Sequence, residues 1–500
     1  MLLFLLTLAA VPGSLVPQRA VDPARVAQFA DEHPRLAPVY ERLSLFDVYS
    51  APWFAAVYLL LCVSLVGCVL PRSRAQWIAW RARPAGPPTR LERLPGHRSW
   101  TTDDHPDAVL AAAARVLREH RYRVAGDGSV EGSAVSADRG RWRETGNLAF
   151  HLALLLVLVA FALGHLLGFR ANVLVVEGRG FSNTVTAYDV FDAGTALDES
   201  GLTPFTVTLE DLEVRYQTHG DQRGAPRDFR AAVTWTPHPS ATPRRGVLRV
   251  NHPLVIEGTK VFLLGNGYAP VFTVRDRSGA EVFAGPVPFL PRDANMASTG
   301  VVKVPSAAPE QLGFEGVFLP TAVLDPRLGP VSAYPGVQRP RAVLTAWTGD
   351  LGVDDGTPQS VYTLDKSGLT QVTGAGGAPL AQSLAPGATM TLPDGSSITF
   401  EGLRRWASLQ VARNPGTMPA LLAAALALTG LTVSLFVRRR RVWVRAAAGP
   451  DGRTLVEVAG LARSEGEGRE SLVEEIEALA ARIRDRIGDR EAANVTSGVS

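Results

Sequence analysis

The chain has 500 residues, 20% of them charged, and its 51 basic and 48 acidic residues leave a formal net charge of only +3. This length exceeds what one core usually organises, and the charge balance lacks the basic field typical of nucleic-acid binding. The two cysteines, Cys62 and Cys68, both lie in an apolar run, so the polar segments carry no thiol for redox chemistry, disulfides or metal binding. The sequence also lacks signatures of nucleotide-driven transport, zinc hydrolysis and serine hydrolysis.

Four apolar stretches predict a polytopic α-helical membrane protein with four transmembrane helices. Residues 1–18 are short of the ~20 residues that span a bilayer. They also lack the basic residues with which a secretory signal peptide begins. We expect them to form a first transmembrane helix whose start lies upstream of Met1. Residues 53–70, 147–169 and 418–437 have the length and basic flanks of the second, third and fourth helices.

Arginines predict the orientation, because basic residues collect on the cytoplasmic side of a membrane. They crowd the segment after the second helix, and the run Arg438 to Arg441 follows the fourth. Both termini are therefore expected in the cytoplasm. The predicted polar segments are a cytoplasmic loop 71–146, a cytoplasmic tail 438–500, an extracytoplasmic loop 19–52 and an extracytoplasmic domain 170–417.

The polar segments differ in their patterns. Residues 106–120 carry Ala and Leu at helical spacing and predict a small α/β element in the cytoplasmic loop. In the extracytoplasmic domain, stretches such as Phe205-Thr-Val-Thr-Leu209 and Lys260-Val-Phe-Leu-Leu264 alternate with period two between turns, which predicts an antiparallel, all-β domain, either a sandwich or barrel-like. In the tail, Pro450-Asp-Gly-Arg453 predicts a hairpin. An amphipathic helix with the face Leu472, Ile476, Leu479 and Ile483 should follow, and then a disordered tail from Glu491.

Two histidines lie within the predicted third helix. His151 is one turn from its start, where an ionisable side chain is costly and a neutral imidazole is a good ligand for haem iron. A histidine that only packs helices together is an equally open interpretation. His165 lies about 21 Å further along the helix, and an interfacial side chain that reaches outward is the simpler interpretation there. The extracytoplasmic histidines show no metal-ligand spacing.

Seven motifs occur in order along the chain: Leu45-Phe-Asp-Val-Tyr-Ser-Ala-Pro-Trp-Phe54, Ser64-Leu-Val-Gly-Cys-Val-Leu-Pro-Arg72, Gly146-Asn-Leu-Ala-Phe-His-Leu152, Asn172-Val-Leu-Val-Val-Glu-Gly178, Asn251-His-Pro-Leu254, Gly265-Asn-Gly-Tyr-Ala-Pro270 and Phe314-Glu-Gly-Val-Phe-Leu-Pro320. Together with the last helix and its arginine run, they closely resemble the ResB (Ccs1/CcsB) family of cytochrome c biogenesis proteins. The resemblance covers nearly the whole chain.

The resemblance implies a subunit that works with a CcsA/ResC-type membrane partner as the System II cytochrome c synthetase. Such complexes carry haem across the membrane and present it to the Cys-x-x-Cys-His of apocytochrome c for covalent attachment. The tryptophan-rich haem-presenting motif belongs to the partner, whereas the family's transmembrane histidine ligand of the haem iron maps onto His151. Haem is thus the expected transient cofactor, apocytochrome c the expected substrate partner, and a bacterial plasma membrane the expected location.

Two other functions compete with this interpretation. In one, the chain is a membrane-anchored extracytoplasmic receptor or scaffold, and His151 is structural with no haem ligand in the chain. In the other, the chain is a transporter working alone; this is disfavoured because few ionisable residues lie in the helices and no inverted repeat is evident. The sequence identifies no catalytic residue, and any enzymatic role would be that of a non-autonomous subunit of a haem-attaching complex.

Overall fold

The computed structural model of the protein describes residues 1–19, 23–94, 96–125, 134–353, 360–374, 376–449, 452–462 and 468–497. The turn residues Pro450 and Asp451, on which the hairpin prediction partly rests, lie outside these ranges. The chain divides into two compact units. The first unit comprises Met1–Ala162 and Gly416–Ser500, and the second unit is Leu163–Pro415.

Helices and strands are numbered separately in chain order. The described helices are α1 (Leu2–Leu15), α2 (Pro23–Glu32), α3 (Ala37–Arg42), α4 (Pro52–Arg81), α5 (Pro106–Glu119), α6 (Trp142–Leu167), α7 (Thr417–Phe436) and α8 (Gly468–Ser497). The described strands of the first unit are β1 (Arg98–Thr102), β2 (Arg123–Val124), β3 (Ala134–Arg139), β23 (Arg440–Ala448) and β24 (Thr454–Ala462). Those of the second unit are β4 (Phe169–Val176), β5 (Gly180–Ser182), β6 (Val190–Ala193), β7 (Thr206–Tyr216), β8 (Pro226–Thr236), β9 (Arg244–Arg249), β10 (Leu254–Ile256), β11 (Thr259–Arg275), β12 (Glu281–Pro286), β13 (Leu290–Pro291), β14 (Ser298–Val304), β15 (Gln311–Leu319), β16 (Ala322–Asp325), β17 (Gly329–Ser332), β18 (Arg341–Gly349), β19 (Leu369–Gln371), β20 (Ala381–Leu384), β21 (Thr389–Thr391) and β22 (Ser397–Arg413).

Three of the described helices, α4, α6 and α7, are long and apolar enough to cross a membrane. The chain is therefore a membrane protein, as predicted. Helix α1 is apolar but has 14 residues, about 21 Å of helix against a hydrocarbon core of about 30 Å. A fourth crossing by this segment stays a prediction.

Helix α4 extends well beyond the predicted span 53–70. Its 30 residues continue through Pro71 to Arg81, because the residues after Pro71 include no further helix breaker before Pro84. The added turns carry the exposed indole of Trp77, and the guanidinium carbon of Arg81 lies 4.3 Å from the centroid of that ring. Tryptophan and arginine in this arrangement are typical of a helix leaving the membrane interface.

A split α/β subdomain is built from two distant segments of the first unit. Its antiparallel sheet has the order β1-β24-β23-β3-β2, so the C-terminal hairpin β23-β24 occupies the centre of a sheet whose other strands lie between α4 and α6. Helices α5 and α8 share one apolar core with this sheet. The buried face of α8 includes all four predicted residues, each at most 1% exposed: Leu472, Ile476, Leu479 and Ile483.

A charged cluster lies beside this core. The Glu475 carboxylate accepts a hydrogen bond from the Tyr122 hydroxyl at 2.9 Å and is paired with Arg139 at 2.8 Å and with Arg440. Burial raises the pKa of the Tyr122 phenol, so it stays a protonated donor at neutral pH. The cluster joins residues from both segments of the split α/β subdomain.

Helix α8 also corrects one prediction. It continues to Ser497, so the predicted disorder from Glu491 is wrong for residues 491–497. The reason is local, since Glu491, Ala492 and Ala493 are good helix formers with no Gly or Pro to stop the helix. Residues 498–500 lie outside the described ranges.

The second unit is mostly β, as predicted, and its named strand pairs are antiparallel. The described strands form a seven-stranded sheet around the path β10-β11-β22-β4-β6, a six-stranded sheet around β13-β14-β15-β18-β19, a four-stranded sheet β5-β7-β8-β9 and a hairpin β16-β17. The choice between a sandwich and a barrel-like closure stays a prediction.

Two long strands organise this unit. Strands β11 and β22 have 17 residues each and pair along nearly their whole length, with two register shifts. One half of the pair contributes Val261 and Leu409 to a core shared with the four-stranded sheet. The other half contributes Phe272 and Phe400 to a second core shared with the six-stranded sheet. The predicted strand ending at Leu264 is thus only the first third of β11.

Candidate functional site

A cavity of about 630 Å³ lies in the first unit between α4, α6 and α7. This volume falls within the ~300–1,000 Å³ range of ligand and cofactor sites. Its lining mixes apolar side chains with polar and charged ones: Cys68, Val69, Arg72, Ala75, Gln76, Ala79, Arg143, Glu144, Asn147, Leu148, His151 and Ser434. Such a lining suits an amphiphilic ligand.

His151 is the group in this lining best suited to bind a metal ion. Its side chain is partly buried, and its Nδ1 lies 2.8 Å from the carbonyl oxygen of Asn147, one turn earlier on α6. Because a carbonyl only accepts, Nδ1 is the donor of this hydrogen bond, and in a neutral imidazole with this tautomer the Nε2 lone pair is left for a further partner. Metal-binding histidines usually donate their other ring N–H in this way, which fixes the orientation of the ring.

A close approach of α6 and α7 positions this turn of α6. A Cβ placed on Gly146 would lie 2.7 Å from the carbonyl oxygen of Gly430, and one on Gly430 would lie 2.7 Å from the amide nitrogen of Phe150. Only glycine at both positions permits this contact, which is the small-residue packing typical of membrane helices. The contact begins five residues before His151, so it sets the depth and rotation of the turn that carries the imidazole.

The cavity lining contains more basic than acidic side chains. Glu144 is paired with Arg439, whose side chain is 13% exposed. Arg143 is partly buried and Arg72 is exposed, and both also line the cavity. Among the described residues these two arginines have no carboxylate partner. The cavity therefore presents a net positive potential to a ligand.

The structure does not bring the second predicted site residue into this cavity. His165 lies near the end of α6 with an exposed side chain, and it is not among the lining residues. Of the histidines in the second unit, His252 forms an isolated bridge with Arg249, and the Nδ1 of His238 lies 2.9 Å from the hydroxyl oxygen of Ser240. Among the residues that the structure describes, no group of three or more His, Cys, Asp or Glu could hold a metal ion.

Sequence reasoning missed Cys68 and the two arginines as lining residues. An arginine that directly follows an apolar run, as Arg72 does, predicts only the orientation of the helix. Helical spacing could have identified these residues. The lining residues recur every three or four positions along each helix, at 68, 72, 75/76 and 79 of α4 and at 143/144, 147/148 and 151 of α6. Each series therefore lies on one face of its helix, and the two faces meet at the cavity.

Comparison with known proteins places the chain among cytochrome c biogenesis proteins. The model of the ResB-like family matches residues 1–474. The cytochrome c biogenesis protein CcsB of Synechococcus sp. (strain WH7803) is 25% identical over 452 residues, which cover 89% of this chain and 87% of that protein. The CcsB proteins of Synechococcus sp. strains CC9311 and CC9605 are 24% and 25% identical over 89% and 90% of this chain.

Proposed function

This chain belongs to the ResB-like family, and from that membership we propose that it acts in cytochrome c biogenesis. It helps to move haem across the bacterial plasma membrane and, with a CcsA/ResC-type partner, presents the haem for covalent attachment to apocytochrome c. The names of the CcsB relatives and their match along most of this chain support the general role. The chain acts as a non-autonomous subunit of a haem-attaching complex.

In this proposal His151 is an axial ligand of the haem iron during transfer. The observation that carries it is the imidazole in the cavity wall whose Nδ1 proton is donated to the Asn147 carbonyl at 2.8 Å. This leaves Nε2 available to iron, and the apolar side chains Val69 and Leu148 provide surface for a porphyrin. His165, which does not line the cavity, is the weaker candidate.

The proposed topology has four crossings with both termini in the cytoplasm. The split α/β subdomain supports it, because the segment between α4 and α6 and the segment after α7 fold into one sheet and must lie on the same side of the membrane. Both segments are flanked by the arginine-rich helix ends, which favours the cytoplasmic side. The second unit, between α6 and α7, is then extracytoplasmic.

An extracytoplasmic second unit suits apocytochrome c as its partner. Residues 163–415 contain no cysteine, so this unit can bind the apoprotein without competing for the thiols that must react with haem. Reduction of those thiols falls to separate proteins.

The first test is the absorption spectrum of the full-length chain copurified with a CcsA-type partner, compared with His151→Ala. We expect a haem band in the wild type and at least a roughly tenfold lower haem content in the variant, because one iron ligand is lost. His165→Ala is the matched control and should keep the wild-type band. Cytochrome c yield in cells should follow the haem content.

One observation is also compatible with the alternative, in which the chain is a membrane-anchored extracytoplasmic receptor or scaffold without a haem ligand. The hydrogen bond from His151 to its own helix is also what a purely structural histidine makes. Equal haem content in the wild type and His151→Ala, with normal cytochrome c yield, would rule out the ligand role and favour the scaffold.

A further inference from the structure

The cavity lining includes two cationic side chains, Arg72 on α4 and Arg143 on α6. Neither has a role in the proposed binding of the haem iron by His151. We propose that these two arginines bind the two propionate carboxylates of the haem whose iron His151 ligates. The proposal rests on the haem-handling function above and adds the groups that would recognise the polar edge of the cargo.

The charge balance of the cavity favours an anionic ligand. The acidic side chain in the lining, Glu144, already pairs with Arg439, so it does not neutralise Arg72 or Arg143. A ligand entering this space therefore meets two guanidinium groups, and a dianion matches them in charge. Guanidinium groups bind carboxylates through paired N–H donors, which makes arginine better suited than lysine to two separate carboxylates.

The spacing of Arg143 and His151 along α6 fits a ligand that has both an iron and a carboxylate. Arg143 precedes His151 by eight residues, about 12 Å along the helix axis. The imidazole would then hold the iron at the centre of the ligand and the guanidinium a carboxylate at its edge, with Asn147 and Leu148 between the two side chains. Arg72 faces the same cavity from α4. A flat, apolar ring with iron at its centre and two carboxylates on one edge fits this order of groups.

A simpler interpretation is that Arg72 and Arg143 only mark the cytoplasmic interface, like other arginines near the helix ends. Arg74 provides the comparison. It is two residues from Arg72 on the same helix, it is also exposed, and it does not line the cavity. If orientation were the only role, Arg72 and Arg74 would be equivalent, whereas carboxylate binding makes them different.

The test is a binding titration of the full-length chain, copurified with its CcsA-type partner, with haem and with haem dimethyl ester, which lacks both carboxylates. The wild type should bind haem at least about tenfold more tightly than the ester, since hydrogen bonds to charged groups are lost with the ester. Arg72→Gln with Arg143→Gln should bind haem about tenfold more weakly and should no longer distinguish it from the ester. Arg74→Gln should match the wild type.

The outcomes separate this inference from the function on which it rests. A wild type that binds haem and its ester equally, while His151→Ala loses both, overturns the arginine proposal and leaves the haem ligand intact. A His151→Ala protein that binds haem like the wild type overturns the ligand role, and with it this inference. The comparison of haem with its ester needs no variant, so poor folding of the double variant does not prevent a decision.

Discussion

Trp406 shows how a single residue is accommodated in the second unit. Its indole is 5% exposed, and Nε1 donates to the carbonyl oxygens of Tyr268 and Phe289, both at 3.1 Å. The ring lies over Gly267 on β11, where an added Cβ would be 2.2 Å from the indole. Gly267→Ala should therefore lower the free energy of unfolding by ~1–3 kcal/mol or more. Thermal unfolding in detergent, followed by tryptophan fluorescence, measures this change.

Gly265→Ala is the matched control for that prediction. Gly265 lies on the same strand, and the nearest atom to its added Cβ would be the Ser408 Cβ at 3.8 Å, an ordinary contact. Its unfolding temperature should stay close to that of the wild type. Equal losses in the two variants would show that β11 is sensitive to any side chain, and that the indole is not the cause.

At the scale of elements, the glycine contact between α6 and α7 joins packing to the site. Gly146→Ala places a methyl group 2.7 Å from a backbone oxygen of α7, so the helices must separate or rotate. We expect lower thermal stability in detergent and a lower haem content after copurification with the partner, because His151 follows on the same helix within two turns.

Gly67→Ala on α4 is the control, since nothing lies within 4 Å of its added Cβ. It should be neutral or slightly stabilising, because alanine favours helix over glycine by up to ~1 kcal/mol. Wild-type haem content in Gly146→Ala would show that the α6–α7 contact does not set the position of the imidazole.

At the scale of the whole molecule, the split α/β subdomain ties the C-terminal tail to the loop between α4 and α6. Leu479 on α8 is 1% exposed in the core of this subdomain. Leu479→Asp would bury an unpaired carboxylate there, at a cost of several kcal/mol. We expect the variant to unfold the subdomain and to reach much lower steady-state levels in cells, measured by immunoblot.

Ala478→Asp is the control for this change, because Ala478 is the exposed neighbour on the same turn of α8. It should accumulate like the wild type. Normal levels of Leu479→Asp would mean that the chain accumulates without α8 packed in the core of the split α/β subdomain.

The sequence predicts individual helices better than it predicts which strands pair with each other. The spacing within residues 106–120 located α5, and the face containing Leu472 and Ile476 is buried as expected, because helical periodicity is a local signal. Periodicity does not say that β23 lies between β24 and β3, since nothing local links segments hundreds of residues apart.

Two features of the structure depart from the local sequence pattern for physical reasons. Gly265, Gly267 and Pro270 are turn-forming residue types, yet they lie inside β11, where a register shift and the space beneath an indole accommodate them. Arg72 lies in the cavity wall, although its position after an apolar run fits a simple flanking charge. The assignment of His151 and its role remains a prediction until haem binding is measured.

The order of strands in the split α/β subdomain has a consequence for biosynthesis. About 300 residues separate the end of β3 from the start of β23, so at ~5–20 residues per second a ribosome needs roughly 15–60 s to supply the central hairpin. During that interval β1 and β3 lack the strands that separate them in the finished sheet. Completion of this sheet therefore requires translation through Ala462, and a chain that ends before β23 leaves β1 and β3 with unpaired strand edges.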